Sequence, residues 1–510
     1  MAWVVVMGRG CNPDAGSRSS RFPQQIRRAG RPPPATMGAQ GIRSVLTQRG
    51  SMSETSPDHA GECQVLVVGA GPAGVVAALL LGDLGVDTVL VDRRTSVSDL
   101  PRARGIHARA TEVLRQLGIE PDMVASALPT DARMEVRSTL AEPPLVTIPT
   151  GGETFAEVSP CEGIAIAQDV FERVLRAHLP SRERVSVRLG QRLTGLTTDP
   201  SGATATLDDA DGTTHTIHSA YVIGADGWRS DVRRLAGIDV IGDLLGQQRC
   251  VRFRADLTPW LGAPPPSFVR MDATDAVLLP THPDHRWVSF HIAELGPEDP
   301  ADLVGRMLGV ETGAEVLGDV LWEAGVQYAE RFRQGQVFLA GDAAHRVTPI
   351  GATGITSAMA DGHNLAWKLA AVLGGWAPDS LLDTYAVERG AVARSACATN
   401  RLQWEAARTG GQPNIDLRML DMGYRYASSI VTPDPRFPDE QPSSYTPSAA
   451  PGARAPHAWL DHAAGRSTID LFGRAFVALV ATDDPQPLAD VGARSRVPLE
   501  VHALVDGAAA

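Results

Sequence analysis

The chain has 510 residues, room for two or three domains at about 150 residues each, and its 43% hydrophobic content can fill real cores. A net charge of −12 argues against a general nucleic-acid binder, which would carry a basic face. Five widely spaced cysteines (Cys11, Cys63, Cys161, Cys250, Cys397) form no C-x-x-C pair. They exclude a zinc or dithiol centre and suit a reducing cytoplasm. No apolar run approaches the roughly 20 residues that cross a bilayer. All the basic residues except Lys368 are arginine, the mark of GC-rich coding rather than of function.

Residues 1–60 read differently from the rest. The run "CNPDAGSRSSRFPQQIRRAGRPPPATMGAQGIRS" has Asp14 as its only acid and no apolar period, so it cannot offset its ordering entropy. Its Arg-rich, acid-poor composition is that of a transit peptide, and a translation start at Met52 is the simpler reading. Either way, residues 1–60 are expected to be a disordered extension outside the fold.

Next comes "CQVLVVGAGPAGVVAALLLGDLGVDTVLVD". A β-branched strand ends at Gly69, a helix of about three turns closes at Gly85, and a second apolar strand ends on Asp92. Gly69, Gly71 and Gly74 form G-x-G-x-x-G, and Asp92 follows Gly74 by 18 residues. The pattern alone is weak evidence, but here the whole βαβ unit surrounds it. The glycines allow a tight turn and close backbone approach, and the helix N-terminus offers free N–H groups to a pyrophosphate. The strand-end acid can accept from a ribose hydroxyl. This loop is expected to bind a dinucleotide; which one depends on the rest of the chain.

Further on, "AYVIGADGWRSDVRRLAGI" (220–238) runs from an apolar strand into Asp226-Gly227 and then a helix. Segments such as "CVRFRADL", "PSFVRMDA" and "DAVLLPT" are short and alternating, as in an open sheet over a pocket. "THPDHRWVSFHI" holds His282, His285 and His291, but it alternates like a strand and lacks a completing ligand, so no metal site is expected. "GQVFLAGDAAHRVTPIGATGITSAMADGHNLAWKLAAVLGG" (335–375) passes from a strand through a Pro/Gly loop into a long helix. That helix has one apolar stripe, and its N-terminal dipole favours a negative partner. His345, within Gly-Asp-Ala-Ala-His, is expected to pack or hydrogen-bond rather than to act as a base.

These three stretches together resemble the FAD-dependent aromatic hydroxylases, the single-component flavin monooxygenases that include aromatic polyketide and phenol-type hydroxylases. The resemblance covers about residues 63–400. It implies an α/β fold: a Rossmann-like FAD-binding domain (61–127, 161–235 and 334–400) with an inserted mixed-sheet substrate domain (128–160 and 236–333). It implies that Gly69, Gly71 and Gly74 hold the ADP half of FAD and that Asp92 holds its ribose, with Arg93 counted beside it. Asp226-Gly227 would serve FAD and the passing NAD(P)H, and Gly341-Asp342 the ribityl chain. In "PRARGIHARATEVLRQLGI", Arg109 matches an arginine that approaches FAD, and Arg102 a position linked to the pyrophosphate. Gln168 matches a flavin-contacting glutamine at a helix start. Where the family reads Pro-x-Gly-Gly-x-Gly-x-Asn, this chain has Pro349-Ile350-Gly351-Ala352-Thr353-Gly354-Ile355-Thr356. Ala and Thr thus replace a Gly and the Asn, while the amides near Gly354, Ile355 and Thr356 would still face the flavin.

The implied chemistry is reduction of FAD by NAD(P)H, addition of O2 at flavin C4a, and transfer of the outer oxygen to an electron-rich ring. It needs no nucleophile–base pair, and no catalytic side chain is named. A Baeyer–Villiger, epoxidising or antibiotic-inactivating monooxygenase would share these motifs; a non-catalytic binding module is the alternative of another class. No Trp-x-Trp-x-Ile-Pro halogenase segment is present. After residue 400, "PGARAPHAWLDHAAGRSTIDLFGRAFVALVATDD" resembles the start of a thioredoxin-like domain. Residues 401–510 are therefore expected to be a C-terminal helix and a short, incomplete thioredoxin-like region. A small aromatic substrate and O2 are the expected partners, with neither nucleic acid nor membrane.

Overall fold

The computed structural model describes residues 3–6, 61–98, 104–150, 155–291, 297–409, 416–437, 444–480 and 486–503. Arg102, Met52 and most of the N-terminal extension lie outside them.

The βαβ unit forms from the apolar runs that predict it. Strand Glu62–Val68 leads through the glycine loop to helix Pro72–Asp83, with Gly71 as N-cap and Pro72 in the first turn, and strand Thr88–Asp92 comes next. The helix is buried from Ala73 to Leu81, so it is apolar all round rather than amphipathic, as an element packed on both sides must be. These strands belong to a parallel core in the order Val337–Leu339, Thr214–Gly224, Glu62–Val68, Thr88–Asp92, Val185–Leu189. Strand register aligns the functional turns. Val68 pairs with Val91 and with Gly224, and Gly224 pairs with Leu339. The glycine loop, Asp92, Asp226-Gly227 and Gly341-Asp342 therefore leave the sheet together at its C-terminal edge, where ligands bind in open α/β sheets.

A second, eight-stranded sheet is antiparallel except where Pro266–Met271 runs parallel to Asp131–Arg137. Its spine is the pair Val240–Arg254 and Glu315–Ala329, fifteen residues each. The alternating segments fall in it as expected, and Val251, Phe253, Met271 and Leu278 pack against helix Pro300–Leu308. At one edge, His345–Arg346 pairs with Gln327 and Tyr328, which ties this sheet to the loop after Gly341-Asp342. In the "THPDHRWVSFHI" stretch, His282 Nε2 lies 3.1 Å from Asp169, and the buried His291 Nε2 lies 3.0 Å from Ser289 Oγ.

The C-terminal part begins with helix Asp383–Arg408 and the short helix Leu417–Met422. A three-stranded parallel sheet joins Trp3–Val6, Phe476–Val480 and Leu499–Ala503. The expectation that residues 1–60 stand outside the fold thus fails at Trp3–Val6. "WVVV" is a β-branched run of high strand propensity that precedes the polar, Arg-rich stretch. Among the described residues no helix is long and apolar enough to cross a membrane.

Candidate flavin site

The glycine loop is shaped by its neighbours on the sheet edge. Gly69 has φ +109°, and a Cβ there would overlap the Ala225 carbonyl of the adjacent strand end; one at Gly74 would overlap the Gly69 carbonyl. A Cβ at Gly71, by contrast, would meet nothing within 4 Å. Asp92 closes the unit: its Oδ2 accepts from the Ala70 amide at 2.7 Å and its Oδ1 from the Arg94 amide at 2.8 Å. Arg176, on helix Gln168–Ala177, donates to the Ala70 carbonyl at 2.7 and 3.0 Å and reaches within 3.9 Å of Asp92. Arg93 follows Asp92 on the exposed rim.

Asp226 turns inward. It accepts from the Ser230 hydroxyl at 2.5 Å and the Val232 amide at 3.1 Å, while Ser230 caps helix Asp231–Leu235 by accepting from the Arg233 amide at 2.9 Å, and burial pushes the Asp226 carboxyl up. Gly227 takes φ +84° with open space at its Cβ position. Arg233 of the same helix donates to the Ala343 carbonyl at 3.0 Å, joining the Asp-Gly and Gly-Asp segments.

Gly341 is buried with φ +60°, whereas Asp342 beside it is exposed. The Gly341 amide donates to Asp361 Oδ2 at 2.8 Å, and His345 Nε2 lies 2.7 Å from the same oxygen. Asp361 Oδ1 accepts from Arg389 Nε at 2.6 Å. Burial alone would raise this carboxyl, and the His345 and Arg389 charges more than offset it, holding it below its ordinary value. His345 packs on Phe332 as well, so it is a structural partner of Asp361.

The loop Pro349–Ala352 is pinned by Asn400, whose Oδ1 accepts from the Thr348 amide at 2.7 Å and whose Nδ2 donates to the Ile350 carbonyl at 2.8 Å. Ala352 caps helix Thr353–Leu373 in the left-handed region, φ +51°, ψ +28°. That conformation is the reason a glycine suits this position, and alanine holds it under strain. A Cβ at Gly354 would meet nothing within 4 Å. Ile355 and Thr356 are buried, and Thr356 Oγ1 accepts from the His107 amide at 3.3 Å. Two helix N-termini, those of Thr353–Leu373 and Ala108–Gln116, therefore meet at Thr356 and His107.

Arg109 stands two residues into the second of these helices, with Nη1 2.9 Å from Glu112 Oε2. Gln168 opens helix Gln168–Ala177 and donates to Glu172 at 2.7 Å. Each of these contacts is made within its own helix.

The FAD binding domain model matches residues 62–400, which span every segment just described. The chain belongs to this FAD-binding family. It is 35% identical over 487 residues to the tetracenomycin B2 monooxygenase-dioxygenase of Streptomyces olivaceus, covering 86% of this chain and 88% of that one. It is 32% identical over 471 residues to the aklavinone 12-hydroxylase of Streptomyces peucetius, covering 85% and 93%. The crystal structure of the flavin-dependent monooxygenase PieE in complex with FAD and substrate superimposes with a TM-score of 0.79 at 28% identity, covering 88% of this chain and 90% of that one. This family member is an FAD-dependent monooxygenase.

Its residues fit the cofactor. Gly71, Gly227 and Gly354 each leave vacant the space a Cβ would fill, and all three sit beside backbone amides or helix N-termini suited to an anionic dinucleotide. At Gly69 and Gly74, by contrast, a Cβ would strike backbone, so these two glycines are required by the turn itself. Sequence reading passed over Arg176, Asp361, Arg389 and Asn400. The one available signal was polarity inside an apolar helix stripe, at Asp361, Asn364 and Lys368, all buried.

Proposed function

We propose that this flavoprotein hydroxylates an aromatic, polyketide-like substrate, using NAD(P)H and O2. The observation that carries the reading is the common edge at which the glycine loop, Asp92, Asp226-Gly227 and Gly341-Asp342 emerge beside the second sheet. The named substrates of the relatives, tetracenomycin and aklavinone compounds, supply the chemical class.

In this reading the amides at Gly69–Gly74 and the helix start at Pro72 hold the pyrophosphate, and Asp92 the ribose. Asp342 would hold the ribityl chain. When bound, FAD takes a hydride from NAD(P)H and activates O2 to deliver one oxygen atom to an electron-rich ring. The amides and dipole at Gly354–Thr356 stabilise negative charge at the pyrimidine edge, preorganised by the Asn400 and Asp361 anchors. Gln168 and Arg109 border the same site, with Arg102 and Arg93 assigned to its phosphate side. The second sheet excludes water.

We take the FAD-binding domain as 61–127, 161–235 and 334–400, and the substrate domain as 128–160 and 236–333. Strands Asp131–Arg137 and Val146–Pro149 joining the Val240–Ala329 strands in one sheet support that division. We take residues 401–510 as a C-terminal helix and a thioredoxin-like region. A cytoplasmic location fits the free cysteines, with burial pushing the Cys63 and Cys250 thiols up to about 12.

The test is turnover of polyphenolic polyketides with NADPH under labelled oxygen gas. One labelled oxygen atom in the product is expected; product oxygen drawn from water would overturn the reading.

A further inference from the structure

Arg104 links the two sheets' regions of the fold. Its backbone directly precedes strand Gly105–Ile106, and its carbonyl accepts from the Ile166 amide at 3.2 Å, beside the partner strand Ile164–Ala165. Three residues on, the His107 amide meets Thr356 at the paired helix starts. The side chain reaches the other way, onto the second sheet. Its Nε donates to the Pro280 carbonyl at 2.8 Å, and the guanidinium lies over the Phe268 ring, 5.6 Å from the centroid.

Alternation along strand Pro266–Met271 identifies the face it meets. Val269 and Met271 belong to the core packed on helix Pro300–Leu308, so Phe268 lies on the opposite face. There Phe268 pairs with Met134, and Met134 with Ile148. Phe268 and Ile148 are 40% and 38% exposed, so this apolar row is open. It runs up to Arg104.

The guanidinium at the end of the row lacks a counter-charge. Its Nη2 is buried and makes no hydrogen bond. Carboxylates on the adjoining elements are engaged elsewhere. Asp169 lies 3.1 Å from His282 and 2.6 Å from Arg173, and Asp272 and Asp275 hold Arg270 at 3.0 and 2.9 Å. Burial lowers Arg104 to about 10, with no carboxylate opposing the shift. A desolvated cation without a partner is unfavourable, and an anionic ligand relieves it. Arg104 is only half-buried as a residue, which leaves a ligand access to it.

We propose that Arg104 is the anion anchor for the substrate: its guanidinium binds an oxyanion conjugated to an aromatic ring, a phenolate or an aryl carboxylate, while the row Phe268, Met134, Ile148 carries the ring system. This rests on the proposed function above and narrows its substrate from an aromatic compound to an acidic one. The planar guanidinium suits such a group because it donates two parallel N–H bonds. Ring and charge are then recognised by adjoining parts of one face.

The experiment measures binding to the full-length holoenzyme by equilibrium dialysis at about pH 8, where Arg104 stays charged. The probes are anthraquinone-2-carboxylate, its neutral methyl ester and alizarin, a dihydroxyanthraquinone whose colour reports phenol ionisation. Wild type should bind the carboxylate or alizarin at least about tenfold more tightly than the ester. Preference for the carboxylate alone assigns a carboxylate substrate. Preference for alizarin, with its phenol ionising at lower pH when bound, assigns a phenolate. Arg104→Gln keeps a donor for Pro280 but removes the charge. It should abolish the preference while leaving ester affinity within about threefold of wild type, whereas a merely structural role would weaken all three probes alike. If Arg104→Gln does not fold, Arg104→Lys decides, and its point charge should cut the preference at least about threefold. A wild type that prefers neither anion overturns the proposal, as does an undiminished preference in the folded variant. Flavin absorbance of the same samples separates the two readings: a chain that holds no FAD overturns the FAD reading, and a loaded chain without the preference overturns the anchor.

Discussion

Gly71 and Ala352 are two helix-cap positions with opposite characters. At Gly71 the backbone is ordinary, φ −83°, and the space is open. Gly71→Val should therefore leave the apo fold intact yet fill the space a pyrophosphate needs. FAD affinity should fall roughly 100-fold, about 2.7 kcal/mol, with the apo melting temperature nearly unchanged. Fluorescence titration and calorimetry check the two halves separately. At Ala352 the strain is in the backbone itself, φ +51°. Ala352→Gly should relieve it and stabilise the apo protein by about 0.5–1 kcal/mol, measured by denaturant unfolding, because left-handed geometry costs alanine more than glycine loses in chain entropy. A destabilised Ala352→Gly protein would count against that strain.

At the scale of elements, the long helix Thr353–Leu373 is held by buried charge as much as by apolar packing. Asp361 gathers the Gly341 amide, His345 and Arg389, and Lys368 pairs with Glu388 at 2.6 Å. Asp361→Asn leaves Arg389 buried without its counter-charge and should cost about 3–5 kcal/mol in denaturant unfolding. The sign with pH is set by the folded carboxyl lying below its ordinary value. Its contribution is present above about pH 4, where the unfolded carboxyl is ionised, and is lost as pH falls toward the folded value. The stability difference between wild type and Asp361→Asn should therefore shrink below about pH 4. A difference constant from about pH 3 to 7 would contradict it.

These elements also show what the sequence could and could not disclose. The βαβ unit is legible because its apolar runs, glycines and strand-end acid are local and contiguous. Asp361 is not, because its partners Gly341, His345 and Arg389 lie 20, 16 and 28 residues away along the chain. Periodicity says which face of a helix is apolar but not which charge on that face meets a counter-charge. The same limit hides Arg176 and Asn400. Asp226 is marked by its motif, yet its bonds from Ser230 and Val232 need the folded chain to be seen. Composition misleads at Trp3–Val6, where a short apolar run is averaged into a polar leader.

Across the whole molecule, two sheets and a returning C-terminal segment converge on one region. The parallel sheet delivers the glycine loop, Asp92, Asp226-Gly227 and Gly341-Asp342 to one edge, the short strand His345–Arg346 ties in the second sheet, and residues 421, 454 and 470 brace helix Ala108–Gln116. Under the proposed function, substrate bound at this edge should be felt by the flavin. The most direct test is anaerobic: follow the flavin absorbance of the purified holoenzyme on adding NADPH, with and without each member of a panel of polyphenolic polyketides. A yellow protein is expected, its bleaching strongly accelerated by at least one such compound. A colourless protein that cannot be loaded with FAD, or a flavin that NADPH leaves oxidised in the presence of every compound, would contradict the assignment.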